Sequence, residues 1–121
     1  MGGLLLWQDE ENYLRLGIGI RAQNEVSLEG CVANQDFVFG RGTLRSEEKL
    51  LRLERRGAHV LALCSADGKF WYAVGECYFP GTRELRAGIC ALGNIDRTIY
   101  FGPFAEGTAI HFSEFTVATR P

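Results

Sequence analysis

The sequence predicts an all-β protein, an antiparallel sandwich, and three features carry that expectation. Residues 13–21 alternate strictly, with Leu14, Leu16, Ile18 and Ile20 on one side and Tyr13, Arg15, Gly17, Gly19 and Arg21 on the other. Period two over that length marks a half-buried strand. Similar runs recur along the chain, separated by polar turns such as Gln8-Asp9-Glu10-Glu11-Asn12 and Ala66-Asp67-Gly68-Lys69. Fifteen glycines against three prolines suit a turn-rich sheet protein with close strand packing.

The 121 residues read as one domain, 1–121, large enough to bury a core. Thirteen basic and fifteen acidic side chains leave a formal charge of −2, which offers no footprint for nucleic acid. Leu4-Leu5-Leu6-Trp7 is too short for a signal peptide or a membrane span, and Asp9 follows at once. The expected setting is therefore cytoplasmic, with no membrane partner. Cys31, Cys64, Cys77 and Cys90 make no C-x-x-C and no zinc-type cluster. They read as reduced thiols serving as small apolar side chains, with one disulfide as the alternative.

Taken in order, 3–7 is the first strand and 13–21 the second. A turn near Ala22-Gln23-Asn24 leads into a third, 25–33. Pairing Arg21 with Glu25 sets Ile20 against Val26, Ile18 against Leu28, Leu16 against Gly30 and Leu14 against Val32, which gathers the large aliphatic residues on one face. The other face then holds Gly17 beside Glu29 and Arg15 beside Cys31. Gly17 and Gly19 either leave that face flat for another chain or a flat ring, or simply relieve crowding. Asn34-Gln35 turns the chain into 36–44, where Phe37 and Phe39 share a side and Gly40-Arg41-Gly42 suggests a bend or bulge.

Residues 46–57 are in conflict. Ser46 as N-cap, Glu47 and Glu48 first, Arg55 and Arg56 last and Gly57 at the C-cap make a good isolated helix. As a strand the same stretch puts Leu51 and Leu53 on one face and Arg52 and Glu54 on the other. Its neighbours are strands with short turns, so a strand from about Leu50 is expected. Residues 59–65 are nearly continuously apolar, as in a strand covered on both faces. After the turn at 66–69 an aromatic strand runs from Phe70 to Val74, continues through Cys77-Tyr78-Phe79 and stops at Pro80-Gly81. Residues 85–92 place Leu85, Ala87, Ile89 and Ala91 inward. A loop at Asn94-Ile95-Asp96-Arg97, a short extended piece at Tyr100-Phe101, turns at Gly102-Pro103 and Glu106-Gly107, and a last strand, 108–119, bulged between Phe112 and Phe115, complete the expected order.

The runs LLLWQDEENYLRL, LRLERRG, SADGKFW, RAGICALGN and IHFSEF span nearly the whole chain. In order and spacing they resemble the "regulation of enolase" type of concanavalin A-like domain, a family of unknown function related to lectin and laminin-G sandwiches. The resemblance implies a jelly-roll sandwich of two antiparallel sheets, one of them concave and ligand-facing, and carbohydrate binding is common among such relatives. In that family further strands precede the GLLLW strand, whereas here Met1-Gly2-Gly3 leads straight into it. The expectation is a shortened sandwich, or a first strand covered by something else, because an open edge invites aggregation. Ser65-Ala66-Asp67-Gly68-Lys69-Phe70-Trp71 also resembles the aspartate-box hairpin of sialidase propellers, with one residue fewer between Asp67 and Gly68. In such a turn the aspartate bonds backbone N–H groups, the glycine supplies a positive φ and the tryptophan packs beneath, so Asp67, Gly68 and Trp71 read as structural.

No catalytic constellation emerges. Glycoside hydrolysis needs two carboxylates at a set separation, and the glucanases of the resembled fold space their acids along one strand (Glu-x-Asp-x-x-Glu). No such run occurs here. Asp9, Glu10 and Glu11 are consecutive in a turn, a solvated cluster or at most a weak calcium site. His59 and His111 have no serine or cysteine beside them in any local motif. Gly17-x-Gly19 lies within a strand and so is not a nucleotide cradle.

What remains is a binding surface: Tyr13, Arg15 and Glu29 on the outward face of the first hairpin, Trp7 at its turn and Arg41 nearby. An aromatic ring with planar polar groups suits a sugar, although a tryptophan in a sandwich is more often core. The chain therefore reads as a non-catalytic module for a glycan or small polar ligand. The rival is a structural module that pairs through a sheet edge or face, and a small glycoside hydrolase is the weakest reading. A homodimer is expected in either of the first two cases.

Overall fold

A computed structural model describes residues 1–19, 22–79, 84–91 and 110–118. Among them eight strands build an antiparallel β-sandwich without helix: β1 (Gly2–Asp9), β2 (Asn12–Ile18), β3 (Glu25–Val32), β4 (Gln35–Thr43), β5 (Leu50–Arg56), β6 (His59–Ser65), β7 (Tyr72–Tyr78) and β8 (Arg86–Ala91). One sheet runs β4-β3-β2-β1-β8 and the other β5-β6-β7. No helix among the described residues is long and apolar enough to cross a membrane.

The core lies between the sheets and follows from alternation. Leu14, Leu16, Val26 and Leu28 from the large sheet meet Val60, Ala62, Cys64, Val74 and Cys77 from the small one, with Phe79 just beyond β7. Leu4, Leu6, Phe39, Leu51, Leu53 and Leu85 pack around them. The conflict at 46–57 thus resolves as strand β5. Burying Leu51 and Leu53 against this core outweighs helix propensity, which is worth well under ~1 kcal/mol per residue. Arg52 and Glu54 sit on the opposite face and form an ion pair of 2.8 Å.

The first hairpin pairs Leu4 with Leu16 and Leu6 with Leu14. Its partner is displaced from the expected register: Ile18 opposes Val26, Leu16 opposes Leu28, and Arg15 opposes Glu29 rather than Cys31. The connection is longer than the predicted turn. Gly19, at φ +76°, leaves the strand, its N–H donating to the Glu25 carbonyl at 3.1 Å, and the Glu25 N–H donates to Ala22 O. The displacement is two residues, so every side chain keeps its face. Ile20 and Arg21 lie outside the described residues.

The first strand is not an edge. β8 pairs with it along its length, Gly2 opposing Ala91, Leu4 opposing Ile89 and Trp7 opposing Arg86. β8 fills the core poorly, however. Leu85 reaches it, but Ala87 and Ala91 are exposed and Ile89 is 45% exposed. Nor is β6 covered on both faces: Val60, Ala62 and Cys64 are buried while Leu61 and Leu63 are half-buried. On that outer side the register sets Arg52 opposite Leu63, and Glu54 and Glu76 on either side of Leu61. The aromatic strand starts at Tyr72, because 66–70 are all turn. The bulge in β4 falls at Phe39, with Leu28 opposite Gly40 and Glu29 opposite Val38, beside the predicted glycines. The described part of the expected last strand, 110–118, joins neither sheet. The stop at Pro80-Gly81 and the features expected at 94–107 lie outside the described residues.

The 65–71 turn is held by side chains. Ser65 Oγ accepts from the Gly68 N–H at 2.8 Å, and Asp67 Oδ1 accepts from Lys69 and Phe70 N–H at 2.8 and 3.0 Å. Trp71 Nε1 donates to Gly68 O at 3.1 Å, and Gly68 sits at φ +80°. Those N–H donors, Phe70 first and then Lys69, hold the Asp67 carboxyl below its ordinary pKa. A depressed folded pKa contributes stability that is present above the unfolded value of about 3.9 and lost as the pH falls through the folded one. Asp67→Ala is expected to melt earlier than the parent near neutral pH, with the two melting curves converging in acid. A gap equally wide at both pH values would show that the turn does not depend on the carboxylate.

All four cysteines are free thiols. Burial pushes Cys64 and Cys90 up, and Cys77 up to about 11. Burial and then the adjacent Asp36 raise Cys31. Such thiols stay protonated and inert at neutral pH.

Candidate functional site

The face of the large sheet turned away from the core collects the predicted residues. Strand register arranges it in rows: Asp36, Cys31, Tyr13, Trp7 and Arg86 in the first, then Val38, Glu29, Arg15, Leu5 and Gly88, then Arg41, Ser27, Gly17, Gly3 and Cys90. Trp7, Tyr13, Arg15, Glu29 and Arg41 therefore share one face. Glu84 and Arg86, which nothing local in the sequence ties to Trp7, join them through the β1–β8 pairing.

The face divides into two regions. At its aromatic end Trp7 and Tyr13 stack, with ring centroids 5.3 Å apart and planes inclined by 17°, and the Arg15 guanidinium lies over the Tyr13 ring at 5.5 Å. Tyr13 is thus engaged by its neighbours, and Trp7 is the ring that borders open space. It forms one wall of an open cleft of about 560 Å³ lined also by Gln8, Asp9, Glu10, Glu84 and Arg86. Asp9 is committed to the turn. Its Oδ1 accepts from the Glu11 N–H at 2.9 Å and Asn12 Nδ2 at 3.0 Å, and the Asn12 bond is the main reason its pKa is lowered. Asp9, Glu10 and Glu11 are not gathered into a metal-ligand group among the described residues.

The middle of the face is closed, which is a departure from the flat open surface expected there. Ser27 is 1% exposed, Cys31 5% and Glu29 9%. The Met1 methyl stands 2.4 Å from where a Gly17 Cβ would be. Among the described residues Ser27 Oγ and Arg15 Nε are buried with no hydrogen-bond partner, an arrangement that costs roughly 1–3 kcal/mol per group. Gly19, expected on this face, serves the turn instead. Arg41 is exposed at the rim.

The histidines are elsewhere. His59 Nε2 meets Glu76 Oε2 at 2.9 Å on the outer side of the small sheet, with Tyr78 edge-on at 6.0 Å. His111 is exposed, in the segment outside both sheets.

The model of a family described as "Protein of unknown function (DUF1349)" matches residues 1–120. No curated protein matches the chain. Among solved structures it is similar to the crystal structure of a functionally unknown protein from Saccharomyces cerevisiae, at 18% identity and a TM-score of 0.64, over 74% of this chain and 49% of that one. That likeness is one of fold, and the chain spans about half the length of the yeast protein.

Proposed function

The chain belongs to the DUF1349 family of proteins of unknown function, and from that premise we propose that it is a non-catalytic, concanavalin A-like binding module that takes a saccharide against Trp7. The observation that carries this reading is the Trp7 cleft. A sugar ring presents an apolar C–H face that an aromatic ring accepts, and its hydroxyls need planar donors and acceptors at the rim. Trp7 supplies the first, backed by its stack on Tyr13. Gln8, Glu84 and Arg86 supply the second. Tyr13 and Arg15 act as positioning residues behind Trp7, and Glu29, nearly buried, supports the sheet beneath them.

A glycan array followed by titration calorimetry on the best hit tests the reading. Trp7→Ala is expected to abolish binding, and the exposed-residue variant Glu84→Gln to weaken it roughly tenfold, as loss of one charge-assisted hydrogen bond would. An array with no hits, or a hit unaffected by both substitutions, rules the reading out.

A further inference from the structure

We propose that two copies of this chain pair antiparallel along the free edge of β4, joining their large sheets across a two-fold axis. β4 is one of the two outer strands of the large sheet among the described residues, β8 being the other. Its first half is exposed throughout, with Phe37 42% and Val38 55% accessible in the middle of an edge. An apolar strand edge with unpaired backbone groups is a template for another strand, and proteins that stay monomeric blunt it with charge or proline. Gln35–Thr43 has no proline, and its two charges, Asp36 and Arg41, are of opposite sign.

The strand is also self-complementary. A two-fold axis through Val38, with the bulged Phe39 left out of the ladder, sets Val38 against Val38 of the second copy, Phe37 against Gly40 and Asp36 against Arg41. Opposed residues in an antiparallel pair must lie on the same face, and residues five apart in a regular strand do not. The extra residue at Phe39 removes that obstacle. Asp36 opposes Cys31 and Arg41 opposes Ser27, both on the outer face of the sheet. A bulge that would ordinarily discourage edge pairing here brings two acid–base pairs into register.

The other candidate edges lack this coincidence: β8, the opposite outer strand of the large sheet, carries a single charge, Arg86, and no acid to face it. In β5, Arg52 and Glu54 already satisfy each other and residues Leu51 to Glu54 are half-buried. In β7, Glu76 is taken by His59. Asp36 and Arg41 have no ion pair among the described residues.

The test is the mass of the chain in solution, by sedimentation equilibrium, for the parent and four variants at exposed positions. The parent is expected to dimerise. Val38→Lys should be monomeric wherever the parent is dimeric. Asp36→Arg and Arg41→Asp should each weaken the dimer by about tenfold or more, since each places two like-charge pairs across the ladder. The double variant carrying both should return to within a few-fold of the parent. Far-UV circular dichroism checks that each variant folds. A parent that is monomeric at the highest attainable concentration overturns the proposal. So does a dimer indifferent to Val38→Lys, or a double variant no tighter than the single ones.

Discussion

Leu16→Ala is expected to remove about 2–5 kcal/mol of folding free energy, the range for emptying a fully buried leucine site. Leu16 has no exposed surface and stands at the centre of the row Gly40, Leu28, Leu16, Leu4, Ile89. It has paired strands on both sides and shares its core cluster with residues of the small sheet, so no neighbour can collapse into the gap without breaking a ladder. A domain of this size is stable by only about 5–15 kcal/mol, so the variant should lose a large part of its urea midpoint with its m-value unchanged. The internal control is Ile89→Ala in the same row. It removes the same kind of side chain from a site already 45% exposed, and should cost well under half as much. Equal losses at the two positions would mean that the core does not lie where the row places it.

That row also shows how far the sequence could be read and where it stopped. Alternation alone put Leu14, Leu16, Val26 and Leu28 together, because the side-chain period of a strand is two whatever the pairing. The pairing itself depended on how many residues the connection uses. The bond from Gly19 to Glu25 that sets this leaves no hydrophobic signature, so the register came out two residues away. Ile89 met Leu4 through a pairing between segments some eighty residues apart, which no local pattern encodes.

The same holds for the candidate site. Tyr13, Arg15 and Glu29 shared a face by alternation, and Trp7 followed from the hairpin. Glu84 and Arg86 arrived only with β8. The closing of the central rows over Ser27 and Glu29 was not legible, since period two says which way a residue points but not what covers it. Where neighbours on both sides agreed, as around 46–57, tertiary context overrode a well-formed helix signal, and that resolution came from the pattern of the whole chain.

Gly40→Ala should be as damaging as emptying the core, for the opposite reason. A Cβ at position 40 would lie 2.0 Å from the Val74 carbonyl oxygen and 2.9 Å from Gly75 Cα. Both are backbone atoms of β7, so no side chain can swing aside. The two sheets touch main chain to main chain here, and a methyl group can enter only if β4 and β7 separate. Separation would pull Phe39 out of the core and loosen Val74. Overpacking a close-packed site costs about 1–3 kcal/mol and more where the backbone must move, so a loss of at least about 3 kcal/mol is expected. Gly42→Ala, two residues along the same strand, meets nothing within 4 Å and should be neutral, or gain a few tenths of a kcal/mol from a stiffer unfolded chain. Denaturant midpoints of the two variants, measured side by side, separate a steric requirement at Gly40 from a general need for glycine flexibility in β4. A similar loss at both positions would favour flexibility, and with it a strand whose edge is less rigid than pairing with a second copy requires.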